Sequence, residues 1–279
     1  MVFLKQYGER RTGTNYLRAL LQAHYSNVVT LMHMLGDKHS QPVALDELWE
    51  KVRDEPDAAW KLVSEATFAA SAQTTRPEDP DQLAYMRSLA DPVAAAVASG
   101  SLAFALSTKH PFPWITSLAK FHGWLVPMRG GMRMHPVYTG HLMNACKLYN
   151  TRHQVWLDHV VRYRSRSAIV RHEDLLSDFR SVLNTLASQF GLQRATPELK
   201  DLEFSVAAPF WDQRPIGFRQ MPFDPEFYTN RDYLARMNQD VWDIVTGLID
   251  WNLVGRLGYL VDGSTSPDWS FSSQIHASS

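Results

Sequence analysis

The chain has a single cysteine, Cys146, in 279 residues, which excludes an internal disulfide and any cysteine-built metal cluster. A reducing, cytoplasmic setting is the expectation that follows. Neither sign of charge is in surplus, and a formal net charge of −1 lacks the basic excess of a general nucleic-acid binder. No stretch approaches the ~20 consecutive apolar residues of a membrane span. Met1 leads straight into an apolar strand, without the charged and long apolar regions of a secretion signal. The nucleotide-triphosphate loop pattern G-x-x-x-x-G-K-[ST] is also incomplete. Gly8 and Gly13 have its spacing, but Thr14 and Asn15 stand where the lysine and the magnesium-binding hydroxyl belong.

What is present begins at the N-terminus. Nine tryptophans and a chain of this length suit one large α/β domain. Val2, Phe3 and Leu4 read as a buried strand, and a turn holding Gly8 and Gly13 follows. Leu17, Leu20, Leu21 and His24 then recur at helical spacing. A strand, a glycine turn and a helix direct backbone N–H groups and the positive helix end at one place, where an anion is held. The positive charge lies early in the turn, at Arg10 and Arg11, which predicts phosphate binding without a dedicated magnesium ligand.

A second strand is expected over residues 27–33, running into Lys38 and His39. In an open parallel sheet the carboxyl ends of the strands form the ligand crevice. The pair is there either a cation with a general base or a polar surface turn. Residues 41–100 read as a helical cover, broken by a proline-punctuated loop over 74–81. Leu102–Leu106 reads as a buried strand, with Lys109 beyond its end and Ser117 on the next helix, a cation and a hydroxyl suited to a second phosphate. Residues 121–142, rich in glycine and proline, are expected to be an irregular loop, and 143–162 a helix whose His153 and His159 are surface or satisfied residues. Ala168–Val170 predicts another strand, leading through Arg171, His172, Glu173 and Asp174 into a helix that stops at Gly191. The acidic pair is expected to be structural. A last long helix is predicted over 233–257, and residues 263–279 form a polar tail.

Three of these stretches resemble the sulfotransferases that use 3′-phosphoadenosine 5′-phosphosulfate (PAPS). Arg11, Thr12, Gly13, Thr14 and Asn15 are similar to the family's 5′-phosphosulfate loop, although lysine is usual at the position of Arg11. Lys109 and Ser117 have the spacing of its 3′-phosphate pair, where arginine is usual at the first position. Arg171 to Leu175 is similar to its Arg-Tyr-Glu-Asp-Leu stretch, and relatives also carry a Lys-His pair after the second strand.

The resemblance covers roughly residues 2–260 and implies an α/β, three-layer P-loop fold with a central parallel sheet flanked by helices, over 1–262. It implies transfer of a sulfuryl group from PAPS, releasing PAP, to a hydroxyl or amine of a small-molecule or carbohydrate acceptor, with no metal required. By the same resemblance His39 is the general base, and Lys38 and Arg11 stabilise developing charge; Glu9, which sits in the loop itself, is the fallback base. Arg10, Arg11, Thr12, Gly13, Thr14 and Asn15 hold the 5′-phosphate, and Lys109 and Ser117 the 3′-phosphate, joined by Arg214 and Arg219. Nucleic acid is not an expected partner, and the residues encode neither the acceptor nor an oligomeric state. Two alternatives stand beside this reading: a P-loop kinase acting on a small molecule, and a non-catalytic relative that binds a nucleotide or a sulfated ligand.

Overall fold

The structure, a computed structural model, describes residues 1–31, 34, 35, 38, 39, 41, 42, 47, 50, 51, 54, 55, 80–128, 131–202 and 226–259. Arg214, Arg219, most of 41–79 and the tail lie outside the described residues.

Four parallel strands form the central sheet in the order β2-β1-β3-β6: β1 (Val2–Gly8), β2 (Val28–Leu31), β3 (Ala103–Thr108) and β6 (Ser167–Arg171). Every residue of β3 is buried, as a parallel strand covered on both faces must be. Side-chain alternation sorts the strands between two cores. Leu4, Ala103, Ala105 and Val170 pack beneath α1 (Thr14–His24) and α5 (His172–Phe190). Phe3, Tyr7, Phe104 and Leu106 face the opposite layer, which includes α2 (Pro80–Ala98), α3 (Pro111–His122) and α4 (Thr139–Arg162). The chain is thus a mixed α/β structure with a central parallel sheet flanked by helices.

The predicted stripe of α1 is the one that packs: Leu17, Leu20 and Leu21 are wholly buried. Each contributes about 1.5–3 kcal/mol of burial relative to exposure. This seats α1 on the sheet face formed by Leu4, Ala103, Ala105 and Val170.

Three expectations are corrected. The described residues of 121–142 form regular elements rather than an irregular loop: β4 (Leu125–Met128) and β5 (Gly131–Met134) pair as an antiparallel hairpin, Leu125 opposite Met134, followed by a 3-10 turn at Pro136–Tyr138. Both strands are edges, which is why Pro127 is tolerated there. The C-terminal helix is divided. A 3-10 turn covers Asp232–Arg236, then come α7 (Gln239–Leu248) and α8 (Trp251–Arg256). Their N-caps are the side chains of Asn238 and Asp250, which accept from Val241 N–H and Leu253 N–H. The apolar stripe runs through all three pieces, so periodicity alone reads them as one. For His153, finally, only the surface alternative falls: the side chain is fully buried in α4, its Nδ1 bonds to the Tyr149 carbonyl at 2.9 Å, and burial pushes its pKa down to about 3.

Candidate active site

The loop between β1 and α1 is held residue by residue. The buried Glu9 carboxylate accepts from Arg152 of α4 at 2.7 Å. Burial nevertheless raises its pKa, Arg152 only partly offsetting that effect. The Arg10 carbonyl accepts from the Trp114 indole at 3.0 Å, and the Arg11 carbonyl from Lys109 Nζ at 3.5 Å. The Thr12 hydroxyl donates to the Glu9 carbonyl at 2.7 Å, so this side chain braces the loop. Arg11 holds a left-handed φ of 72°, a conformation that costs a non-glycine residue roughly 1–2 kcal/mol.

Two glycines admit what side chains would block. A Cβ at Gly8 would drive into the Ser107 carbonyl oxygen, and one at Gly13 into Nδ1 of His172. Gly13 also has φ 82° and caps α1 without any side-chain acceptor. The first-turn amides of α1 therefore keep their donor capacity toward an incoming anion. Arg10 and Arg11 are exposed beside them.

Lys38 and His39 lie against this loop. The Lys38 carbonyl accepts from Gly8 N–H at 2.9 Å, and its ammonium donates to Asn15 Oδ1 at 2.5 Å. His39 Nδ1 lies 2.6 Å from the Gly8 carbonyl oxygen. A carbonyl only accepts, so Nδ1 carries the proton and, in the neutral ring, Nε2 carries the lone pair. Tautomer and ring orientation are thus set by the backbone of Gly8.

Lys109 leaves the end of β3 almost wholly buried, 1 % exposed. Its carbonyl accepts from the Tyr149 hydroxyl at 3.0 Å, and the N–H of His110 donates to the Glu173 carboxylate at 3.0 Å. The other oxygen of Glu173 accepts from the Tyr259 hydroxyl at 2.9 Å, so Glu173 is a structural brace, as expected. Asp174 is bound by Arg171 through two bonds of 2.7 and 2.8 Å. Burial lowers the pKa of Lys109, opposed by the charges of Tyr228 and Glu173.

Tyr228 joins Lys109 to Ser117. It sits on the short helix α6 (Glu226–Thr229), its ring centroid 3.9 Å from Lys109 Nζ and its hydroxyl 3.5 Å from Ser117 Oγ. Burial works against ionisation of the phenol, but Lys109, Ser117 and Arg11 outweigh it and bring the pKa below the usual value. His172 meets Tyr228 edge-on at 5.5 Å. Its buried Nδ1 has no hydrogen-bond partner, and burial with the nearby Lys109 and Arg11 charges holds the imidazole neutral.

The structure therefore brings Arg11, Gly13, Asn15, Lys38 and His39 together, with Lys109 reaching the loop from β3. Arg152, Trp114 and Tyr228 take part without having been expected. No local pattern marks them, since each acts across roughly a hundred residues of sequence. Among the described residues no three or more His, Cys, Asp or Glu side chains gather as a metal site, and no helix is long and apolar enough to cross a membrane.

No protein-family model and no curated protein matches the chain. Among solved structures, it is similar to the sulfotransferase domain from the Synechococcus PCC 7002 olefin synthase, with TM-score 0.37, 13 % identity, and 94 % of this chain and 95 % of that one covered. It is also similar to the sulfotransferase domain from the curacin biosynthetic pathway, with TM-score 0.33, 14 % identity, and coverage of 89 % and 96 %.

Proposed function

We propose that this chain is a sulfotransferase that moves a sulfuryl group from PAPS to a hydroxyl or amine of a small-molecule or carbohydrate acceptor. The observation that carries this reading is the meeting of three stretches distant in sequence. Lys38 and His39 bond to Gly8 and Asn15, and Lys109 reaches Arg11 from the end of β3. The residues fit a nucleotide bearing two separate anionic groups. An uncapped helix start with a glycine cradle suits one, and a buried ammonium beside a serine hydroxyl suits the other.

PAPS, when bound, supplies the activated sulfuryl group. The first-turn amides of α1, with Arg11 and Thr14, hold the 5′-phosphate, and the brace made by Thr12 keeps the loop open for it. Arg10 and Arg11 supply positive charge from the exposed side. Lys109 and Ser117 hold the 3′-phosphate, with Arg214 and Arg219 as further contacts. Lys38 offsets charge developing at the transferred group. His39 Nε2 takes the acceptor's proton as general base, and the Gly8 carbonyl steadies the imidazolium that results. Glu9, tied to Arg152, is the less suited base.

The test is incubation with PAPS and a panel of phenols, alcohols, amines and sugars, reading PAP release and sulfated product by mass spectrometry. Transfer to any of them supports the reading. Phosphorylation from ATP instead, or PAP binding without transfer to any acceptor, contradicts it.

A further inference from the structure

A continuous run of rings starts at the anion loop and leads away from it. The Arg11 guanidinium lies 5.5 Å from the ring of Phe121 at the end of α3. Phe121 meets His122 at 4.9 Å, and His122 stacks on Trp124 at 5.1 Å with 18° between planes. Trp124 stacks in turn with His141 at 5.7 Å and with Tyr138 at 6.3 Å, their planes 18° and 21° from its own. The β4–β5 hairpin creates this arrangement, since the His135 N–H donates to the Trp124 carbonyl and brings the turn and the start of α4 back over the tryptophan.

Two further features belong to the same stretch. Four of the seven large apolar side chains exposed among the described residues lie in it: Phe121 at 52 %, Met132 at 44 %, Val137 at 69 % and Met143 at 36 %. From Pro92 to Leu157 the sequence holds no aspartate or glutamate, while Lys120 and Lys147 are exposed there. Glu9, the acidic residue of the adjoining loop, is bound to Arg152. The face is apolar and aromatic, with exposed lysines and no carboxylate of its own stretch; the nearest acidic element packed on it is the turn carrying Asp232.

We propose that this face, made by the end of α3, the β4–β5 hairpin and the start of α4, binds the acceptor, and that the acceptor joins a planar ring system to an anionic group. The proposal rests on the sulfotransferase reading. Near-parallel rings around Trp124 accept a further planar ring as one more member of the stack. A non-planar alicyclic body would forfeit that contact. An anionic substituent finds ammonium and guanidinium groups with no carboxylate from the surrounding stretch to compete. Such a molecule sets its anionic group on Lys120 and presents its hydroxyl toward Arg11 and the loop. Burial, Arg10 and His141 together lower the pKa of His122, which favours the neutral imidazole as a stacking partner.

Binding of three matched probes in the presence of PAP, read by equilibrium dialysis, tests this. The probes are a hydroxynaphthoate (planar and anionic), a naphthol (planar and neutral) and a hydroxycyclohexanecarboxylate (anionic and non-planar). Hydroxynaphthoate should bind tightest. Phe121→Ala and His141→Ala, both at exposed positions, should each weaken it by about threefold to tenfold with thermal stability retained. Lys120→Glu should remove its advantage over naphthol. Equal binding of all three probes, or no change in the variants, overturns the proposal. So does binding to phosphatidylglycerol vesicles that hydroxynaphthoate does not displace, which would make the face a membrane contact. A wild-type protein that binds hydroxynaphthoate but not PAP would sink the sulfotransferase reading while leaving the ligand class of this face standing.

Discussion

The ring of Tyr228 lies across the ammonium of Lys109, 3.9 Å from its centroid, while its hydroxyl reaches Ser117. The two side chains assigned to the 3′-phosphate are thus covered by a third that the sequence did not point to. A phosphate arriving between them must replace the phenol. Tyr228→Ala is therefore expected to tighten PAP binding on the order of tenfold, the scale of a desolvated cation–π contact. Binding of ADP, which lacks the 3′-phosphate, should not change. Weaker PAP binding in the variant would instead make Tyr228 a donor to the phosphate.

The Nδ1 of His39 bonds to the Gly8 carbonyl. If Nε2 is the base, His39→Ala should lower the transfer rate by ~10²–10⁴ while leaving PAP affinity within about twofold. Parallel loss of rate and of PAP affinity would show a binding role in its place.

Gly13 and Gly123 both have left-handed φ, 82° and 69°, but only Gly13 faces a neighbour, the His172 ring. Each alanine substitution carries a backbone cost of roughly 1 kcal/mol. Gly13→Ala must also displace His172, so its melting temperature should fall further than that of Gly123→Ala, and its PAP binding should be lost. Equal melting temperatures for the two variants would mean that His172 yields freely.

Acid should destabilise the fold through its buried histidines. Burial lowers His153 to about 3 and His159 to about 4. The unfolded chain, with histidine near ~6.5, therefore takes up protons that the folded chain refuses. Stability is full above the unfolded value and is lost as pH falls from there toward the folded values. Glu9 and Glu173, raised by burial, act in the opposite sense. His153→Phe isolates the histidine contribution. Between about pH 6 and pH 4 its unfolding free energy should vary less steeply than that of the wild type, by up to ~1.4 kcal/mol per pH unit. Unchanged steepness in urea unfolding would contradict the assignment.

The parts legible in the sequence were those with local signals. The apolar run of β1, the Gly8–Gly13 spacing and the stripe of α1 lie within 25 residues, and each is a short-range pattern. Lys38 and His39 could be placed near the loop only because strand ends converge in a parallel sheet. The β4–β5 hairpin was missed because each strand has four residues, one contains Pro127, and neither joins the main sheet. Arg152 on Glu9 and Tyr228 on Ser117 span 143 and 111 residues, and no spacing rule reaches that far. The division of the last helix rests on Asn238 and Asp250, both good N-caps that the continuous apolar stripe concealed.

The central claim is that the chain holds a nucleotide by two phosphate sites, one at the loop and one at Lys109 and Ser117. Calorimetric titration with PAP, ADP and ATP, each with and without Mg²⁺, tests it most directly. The account predicts metal-independent PAP binding tighter than ADP binding by about tenfold to a hundredfold, the range of a hydrogen bond to a charged group. Lys109→Met or Ser117→Ala should narrow that gap. Equal affinity for PAP and ADP, or preference for ATP with magnesium, would contradict it.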